Sequence, residues 1–324
     1  MHPDLASFDA ATHDRLAADP VRNTIALTSL DRIRRLPADH RPTLITFHDH
    51  GEVIGSLIRT PPWPFQAADL PLSAVELAVR TVNEIDPDAP GVTGPRQRSE
   101  AFATATGKTY TESLATRLYR LGTLAPPRTA ASARTTPDAG PSQPPAAAGT
   151  GRSAPDADPA EPPAAAGTGR SAPDADPSEP PAVAGTGRMA TEADAELLGA
   201  WRHAFLTEAV PEAPNEDTTQ AMRNSLRLGN GHALWEVDGN PVAWAAGSLP
   251  HADMTRIGPV YTPPEHRKHG YGAAVSAMVS QWALDQGATD VLLFADLTNP
   301  ISNSIYQRIG YQPLDDWAEF WWKR

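Results

Sequence analysis

The sequence VYTPPEHRKHGYGA at residues 260–273 places the end of a β-strand directly before the start of an apolar helix. Two prolines stop the strand after Thr262, and two glycines open the helix. Glycine lets the chain turn tightly and brings backbone N–H groups close to a ligand. Those N–H groups and the helix dipole favour an anion, and Arg267 and Lys268 add positive charge beside them. The stretch therefore predicts a phosphate-binding loop or, more simply, a basic turn.

Helix-like and strand-like segments alternate on both sides of this stretch. Before it, the apolar pattern predicts two helices, a hairpin and a strand, at residues 194–208, 217–228, 232–249 and 255–261. After it come a helix, a strand, a second helix and two strand-like pieces, at residues 272–286, 290–295, 302–309, around Tyr311 and at 317–322. This alternation predicts an α/β fold with a mixed sheet. The tryptophans of the last piece are expected to pack on the sheet, or one of them to form an aromatic substrate wall.

The first half of the chain repeats the beginning of this pattern. Residues 16–36 have helical periodicity, and residues 43–60 form two β-rich runs around a His50-Gly51 turn. Two such runs around a short polar turn are typical of a hairpin. Because both halves begin with helix and then hairpin, we expect that they arose by duplication.

The middle of the chain has the composition of a spacer. Residues 126–187 contain 14 of the 34 prolines and no Phe, Trp or Tyr, and an eighteen-residue unit repeats there. A segment with so few large apolar residues cannot offset the entropy of ordering it. Its Thr-Gly-Arg element lacks the strand and helix that a phosphate loop needs. We therefore predict an N-terminal domain at 1–125, a disordered Pro/Ala-rich linker at 126–187 and a C-terminal domain at 188–324.

Composition excludes several classes of function. The chain has no cysteine, which excludes disulfides, thiolate metal sites and a cysteine nucleophile. Its histidines lack the helical spacing of a zinc site, so no metal is expected. The net charge of −12 argues against binding to nucleic acid through phosphates. No segment resembles a membrane span or a signal peptide, so a cytoplasmic location is expected.

A second motif follows the strand at 290–295, where residues 299–311 read NPISNSIYQRIGY. Together the two stretches have the order strand, R-x-x-G-x-G, helix, strand, asparagine and Y-x-x-x-G-Y. This order resembles the GNAT superfamily of acyl-CoA-dependent N-acetyltransferases. The resemblance covers residues 188–324. The first half resembles the family only in outline, since Gly94-Pro95-Arg96 is its nearest counterpart to R-x-x-G-x-G. The resemblance implies a GNAT fold in the C-terminal domain and a degenerate GNAT-like N-terminal domain, as in tandem-GNAT proteins.

The resemblance also implies a site for acetyl-CoA as co-substrate. Backbone groups of Val260, Tyr261 and Thr262 would pair with the pantetheine amides. The residues that would wrap the pyrophosphate are Arg267, Lys268, His269, Gly270, Tyr271 and Gly272. Those that would line the other side of the CoA arm are Asn299, Ser302 and Asn303. Tyr306 would protonate the leaving thiolate as a general acid, unless it only packs its helix on the sheet.

The residue that accepts the proton of the amine is less defined. Members of the family often place a glutamate on the fourth strand, but that strand, TRIGPVY, has no carboxylate here. Glu319 on the last strand is the first candidate, followed by Glu208 and Asp253. Each could equally be a solvated or structural charge, and a water-mediated route remains open.

Two functions of different classes fit these features. The first is an acetyl-CoA-dependent N-acetyltransferase that moves an acetyl group directly to an amine held in near-attack geometry. The second is a non-catalytic acyl-CoA-binding regulatory module, which the missing carboxylate favours. The acceptor would be a small-molecule or protein amine, and a homodimer is possible. The net charge of −7 on residues 188–324 would attract a cationic acceptor, or would simply aid solubility.

Overall fold

The computed structural model describes residues 1–35, 41–129, 182–210 and 215–323. Residues 130–181, which include the two full repeats and most of the predicted linker, lie outside these ranges. The elements of the N-terminal half are α1 Leu5–Ala17, α2 Thr24–Arg35, β1 Thr43–Asp49, β2 Glu52–Arg59, β3 Phe65–Gln66, α3 Val75–Ile85, β4 Gly91–Pro95, α4 Arg96–Ala105 and β5 Tyr110–Leu121. Those of the C-terminal half are β6 Thr186–Met189, α5 Ala195–Ala209, α6 Thr218–Arg227, β7 Gly231–Val237, β8 Asn240–Gly247, β9 Met254–Tyr261, α7 Tyr271–Asp285, β10 Asp290–Asp296, α8 Pro300–Arg308 and β11 Tyr311–Trp322.

All strands of the described residues form one mixed sheet, in the order β1-β2-β3-β4-β11-β5-β10-β9-β8-β7-β6. Apart from β6, which precedes the helices of the C-terminal half, both halves follow the same plan of two helices, a hairpin, a third strand, a helix, a fourth strand, a helix and a long last strand. The α/β prediction is therefore confirmed, and the shared plan agrees with a duplication.

The two halves exchange their last strands. The strand β5 of the N-terminal half lies between β10 and β11, and β11 of the C-terminal half lies between β4 and β5. The pairing of β5 with β11 extends from Tyr110 opposite Trp322 to Leu121 opposite Tyr311. Each half therefore completes the sheet of the other, and residues of β5 come close to the predicted C-terminal site.

Different helices cover the two faces of the sheet. The face that we call the α7 face carries α7 and α8 on one core cluster and α3 and α4 on another. The opposite face, which we call the α2 face, carries α1 and α2 in its centre and α5 and α6 beside them. The α1–α2 cluster includes Leu44 of β1 and Met254 of β9, which lie seven strands apart. The sheet must therefore curve around α1 and α2.

Three expectations about the elements need correction. The single helix expected at 16–36 is two helices, because Pro20 lies between them and proline is not tolerated inside a helix. The two strand-like pieces at the C-terminus are one strand, whose register is irregular between Pro313 and Asp316.

The third correction concerns the end of the predicted linker. Val183 is buried, and its N–H donates to the carbonyl of Arg128 at 2.8 Å. The indole N–H of Trp235 donates to the carbonyl of Ala184 at 2.8 Å, and β6 begins at Thr186. Residues 182–187 therefore belong to the packed fold. The last Thr-Gly-Arg of the repeats is part of an edge strand, which composition alone did not reveal.

Candidate functional site

The strands β9 and β10 diverge in the middle of the sheet. They pair in parallel from Met254 opposite Asp290 to Ile257 opposite Leu293. Beyond that point β9 stays with β8, while β10 stays with β5. A wedge therefore opens between Gly258–Tyr261 and the end of β10. Val260, Tyr261 and Thr262, the residues predicted to meet the pantetheine, lie along its β9 edge.

The N-terminus of α7 lies next to this wedge and is not capped. Gly270 is the N-cap residue in a left-handed conformation, with φ of 82°, and no side chain caps the helix. The first N–H bonded within the helix is that of Ala274, which donates to the carbonyl of Gly270 at 3.1 Å. The N–H groups of Tyr271, Gly272 and Ala273 therefore have no partner within the helix. Together with the helix dipole they form an anion site.

Of the two basic residues in the loop before α7, Arg267 is already bound within the protein. The guanidinium of Arg267 forms an ion pair with Glu208 at 2.6 Å and donates to the carbonyl of Thr262 at 2.9 Å. The hydroxyl of Tyr261 donates to the same Glu208 carboxylate at 3.1 Å. Lys268 has a left-handed φ of 69°. An anion at α7 would thus compete with Glu208 for Arg267.

The imidazole of His269 stacks on Tyr271, with ring centroids 5.4 Å apart, so its ring lies against the first residue of α7. At Gly272 an added Cβ would meet only Thr262 Oγ1, at 3.6 Å. The helix N-terminus therefore has open space in front of it.

The three polar residues at the start of α8 hold the helix in place. Asn299 is its N-cap residue and accepts from the N–H of Ser302 at 3.0 Å. The amide of Asn303 donates to the carbonyls of Asp296 and Asn299, both at 2.7 Å. The Asn303 Oδ1 accepts from the hydroxyl of Tyr119 at 2.6 Å. The side chains of Asn299 and Asn303 are therefore occupied within the protein, and their contact with a cofactor stays a prediction.

Tyr306 lies on α8 and is 8% exposed. Its ring is between those of Tyr119 and Tyr311, at centroid distances of 6.5 and 6.1 Å. Burial raises the pKa of Tyr306 to about 12, so the hydroxyl keeps its proton at neutral pH. Tyr119 comes from β5 of the N-terminal half. Sequence reasoning missed it, because its place at this site follows only from the exchange of strands.

The three candidate carboxylates lie in different places. Glu319 accepts from the indole of Trp321 at 2.6 Å, and burial raises its pKa. It is eight residues along β11 from Tyr311, or roughly 25 Å at about 3.3 Å per residue, so the structure does not bring it to Tyr306. Asp253 precedes β9 at the end opposite to the wedge. Glu208 is the one of the three that reaches the wedge, through Tyr261 and Arg267.

The corresponding region of the N-terminal half is closed. There the pairing of β3 with β4 continues, since the N–H of Ala67 donates to the carbonyl of Thr93 at 2.8 Å. The guanidinium of Arg98 also donates to the carbonyl of Ala68. The seventh residue of α4 is Phe102, where α8 has Tyr306. Among the residues that the structure describes, this half therefore has neither an open wedge nor a tyrosine at that position.

Within residues 1–35, 41–129, 182–210 and 215–323, no group of His, Asp and Glu side chains is arranged to hold a metal ion. Likewise, none of the helices seen there combines the length and the apolar character needed to cross a membrane.

Comparisons with known proteins concern the family and the fold. Residues 195–311 match the model of the Acetyltransferase (GNAT) family. A solved GCN5-related N-acetyltransferase from Kribbella flavida is similar to this chain with 18% identity and a TM-score of 0.55, over 94% of this chain and 96% of that one. A Drosophila protein has 12% identity and a TM-score of 0.56, over 98% and 95% of the two chains. Both likenesses concern the fold and extend over both halves. No curated protein matches the sequence.

Proposed function

From the match of residues 195–311 to the GNAT acetyltransferase family we propose that the chain transfers an acetyl group from acetyl-CoA directly to an amine. The acceptor is a small-molecule or protein amine. The transfer takes place at the wedge between β9 and β10. The N-terminal half serves the C-terminal site, since its own described residues leave no open wedge between β3 and β4.

The observation that carries this proposal is the open wedge beside the uncapped N-terminus of α7. An extended thioester arm fits between diverging strands, because their unpaired backbone groups can bond its amides. The free N–H groups of Tyr271, Gly272 and Ala273 suit a pyrophosphate, with Lys268 beside them. Of the carboxylates proposed as bases, only Glu208 lies at this place, and it is bound to Arg267.

The chemical step needs two proton transfers. The neutral amine attacks the thioester carbon, the new C–N bond forms, and the C–S bond breaks. Tyr306 donates its proton to the leaving thiolate as the C–S bond breaks and regains a proton from water afterwards; burial raises its pKa, so the hydroxyl carries its proton before the reaction. When the pyrophosphate draws Arg267 away, the Glu208 carboxylate becomes free to take the proton of the amine, directly or through water.

The replacement Tyr306→Phe tests this assignment. We expect kcat to fall about 10²- to 10⁴-fold, the usual contribution of a general acid, while the affinity for acetyl-CoA stays the same. Release of free thiol measures turnover, and calorimetry measures binding. Tyr110→Phe is the control, since Tyr110 lies at the start of β5 and its ring packs on Phe320 and Trp322, away from the wedge. Equal turnover in wild type and Tyr306→Phe would exclude Tyr306 as the acid.

A second candidate function is an acyl-CoA-binding regulatory module. The observation that favours it is the absence of a carboxylate on β9 together with the ion pair that holds Glu208. Such a module would bind acetyl-CoA and release no thiol with any amine. The same titration and turnover assays therefore separate the two functions.

A further inference from the structure

The carboxylate of Glu208, near the end of α5, holds a cation that belongs to this chain. Its Oε2 accepts from the guanidinium of Arg267 at 2.6 Å, and its Oε1 accepts from the hydroxyl of Tyr261 at 3.1 Å. The Cζ atom of Arg267 also lies 6.0 Å from the centre of the Tyr261 ring. A carboxylate next to an aromatic face is an arrangement that binds ammonium and guanidinium groups. Glu208 and Tyr261, which we call the cation subsite, are thus occupied by Arg267.

The cation subsite lies at the wedge, on the face of the sheet opposite to Tyr306. Tyr261 is the last residue of β9 and packs in the α5–α6 cluster of the α2 face. Trp201 of α5 packs on its ring, with centroids 6.2 Å apart. Tyr306 belongs to the core cluster of the α7 face. A ligand that replaced Arg267 at the subsite would therefore meet the wedge from the side opposite to the proposed acid.

Arg267 is also close to the anion site at the start of α7. Its Nε donates to the carbonyl of Thr262 at 2.9 Å. The Oγ1 of the same Thr262 lies 3.6 Å from the position of an added Cβ at Gly272, in the first turn of α7. A guanidinium binds phosphate oxygens by bidentate, charge-assisted hydrogen bonds. Arg267 thus has two alternative partners within reach, the Glu208 carboxylate and a phosphate at α7.

An exchange between these partners costs little. The side chains of Arg267 and Glu208 are 44% and 43% exposed, and ion pairs at exposed positions stabilise a protein only slightly. A bound pyrophosphate can therefore take Arg267 from Glu208. The carboxylate then keeps its bond with the Tyr261 hydroxyl but has lost its counter-charge, and it attracts a new cation.

We propose that Arg267 couples the two substrate sites. In the free protein its guanidinium fills the cation subsite, and in the complex with acetyl-CoA it binds the pyrophosphate, so that the ammonium group of the acceptor takes its place on Glu208. This inference rests on the proposed function and deepens it. It makes the acceptor a cation that binds after acetyl-CoA, because the protein's own arginine blocks the subsite before that.

Calorimetric titration of CoA tests the first half of this exchange and needs no knowledge of the acceptor. CoA must break the pair of Arg267 and Glu208 in wild type, whereas Glu208→Gln has released the guanidinium in advance. We therefore expect Glu208→Gln to bind CoA about 2- to 5-fold more tightly, as for the loss of an exposed ion pair. Arg267→Gln should bind CoA about 5- to 50-fold more weakly, as for the loss of a charged hydrogen bond. Arg267→Lys should lie between the two.

The double variant Arg267→Gln/Glu208→Gln isolates the coupling. If Arg267 exchanges partners, Glu208→Gln gives no gain in affinity once Arg267 is absent, whereas a general effect of removing a negative charge would persist. Glu265→Gln is the matched control, since it removes another exposed carboxylate of the same loop and should change the affinity less than about 2-fold. All these positions are exposed, so Tm should stay nearly constant. An equal gain in both backgrounds, or no gain in either, would overturn the proposal.

A cationic probe tests the second half of the exchange. Hexylamine, with hexanol as the neutral comparator, is titrated with and without saturating CoA. Wild type should bind hexylamine at least about 5-fold more tightly when CoA is bound, at the low end of typical couplings between sites. Arg267→Gln should bind it nearly equally in both conditions, and Glu208→Gln only weakly in either. Hexanol should show no coupling, and binding of hexylamine to wild type that is independent of CoA would overturn the proposal.

These titrations separate this inference from the proposed function, because CoA carries no acetyl group to transfer. Coupling that depends on Arg267, without acetyl transfer to any amine, would support the exchange and refute the transferase function. Acetyl transfer with no gain of CoA affinity in Glu208→Gln would refute the exchange and leave the function intact. Absence of both transfer and CoA binding would refute both.

Discussion

The hydroxyl of Tyr119 links the N-terminal half to the helix that carries Tyr306, and Tyr119→Phe removes only this hydroxyl. Tyr119 is fully buried and donates to Asn303 Oδ1 at 2.6 Å. Asn303 in turn holds the start of α8 through two backbone carbonyls. Without the hydroxyl, the Asn303 oxygen loses its partner at the same place.

The expected magnitude follows from this one bond. Leaving this half-buried acceptor without its partner costs about 1 kcal/mol of the free energy of unfolding, which corresponds to a fall in Tm of about 2–4 °C. Because the start of α8 loosens, we also expect kcat to fall a few-fold, with the KM for acetyl-CoA nearly constant.

Thermal unfolding and thiol release measure the two effects. Tyr110→Phe is the control, since the hydroxyl of Tyr110 has a longer contact, 3.3 Å, with Thr104 at an exposed position and its loss should cost little. If Tyr119→Phe matched Tyr110→Phe in both Tm and kcat, the exchanged strand would contribute packing alone, and the reasoning about α8 would be refuted.

Two more predictions follow from burial and topology. Burial lowers the pKa of His232 to about 4 in the folded protein, against about 6.5 in the unfolded chain. Between these pH values the unfolded chain binds more protons at this residue. The contribution of His232 to the free energy of unfolding should therefore fall by about 3 kcal/mol as the pH drops from 6.5 to 4. Chemical unfolding across this pH range should show a smaller loss of the free energy of unfolding for His232→Gln than for the exposed control His203→Gln. An equal dependence on pH in the two variants would contradict the lowered pKa of His232. Residues 182–324 produced alone lack β5, the strand that lies between β10 and β11. We therefore expect no cooperative thermal transition for this fragment. A stable monomer that unfolds cooperatively would show that the C-terminal half folds independently.

Local patterns in the sequence predicted the elements of the C-terminal half other than β6, but in the N-terminal half they predicted only a helical stretch and the first hairpin, and not β3, α3, β4, α4 or β5. The hairpins at 43–60 and 232–249 and the loop before α7 are encoded by residues that are neighbours in the chain, such as His50-Gly51 and Gly270. The break at Pro20 was missed because the apolar periodicity continues on both sides of it. The end of the linker was missed because Val183 is buried by α7 and β7, partners distant in sequence.

The candidate site was predictable only in part, for a similar reason. The loop at 267–272 and Tyr306 belong to short motifs. The contribution of Tyr119 depends on the exchanged strands, which bring β5 of the N-terminal half to α8. No spacing within 188–324 encodes it. Glu319 was favoured as the base from its place on the last strand, but that strand extends away from Tyr306 into the other half.

The most direct test of the central claim is a calorimetric titration of acetyl-CoA into wild type, Gly272→Asn and Gly272→Asp. Gly272 is preferable to Gly270, whose left-handed φ and contact of 3.0 Å between an added Cβ and Val183 would disturb the loop in any variant. Asparagine and aspartate have the same size, so their difference isolates the charge at the helix N-terminus.

We predict binding at roughly micromolar strength for wild type, about −8 kcal/mol, weaker binding for Gly272→Asn, and a further loss of about 10-fold or more for Gly272→Asp. The Tm of Gly272→Asp should not fall below that of Gly272→Asn, because a carboxylate stabilises a helix N-terminus. If wild type did not bind acetyl-CoA, or if the two variants bound it equally, the pyrophosphate would not lie at α7 and the account of the site would be wrong.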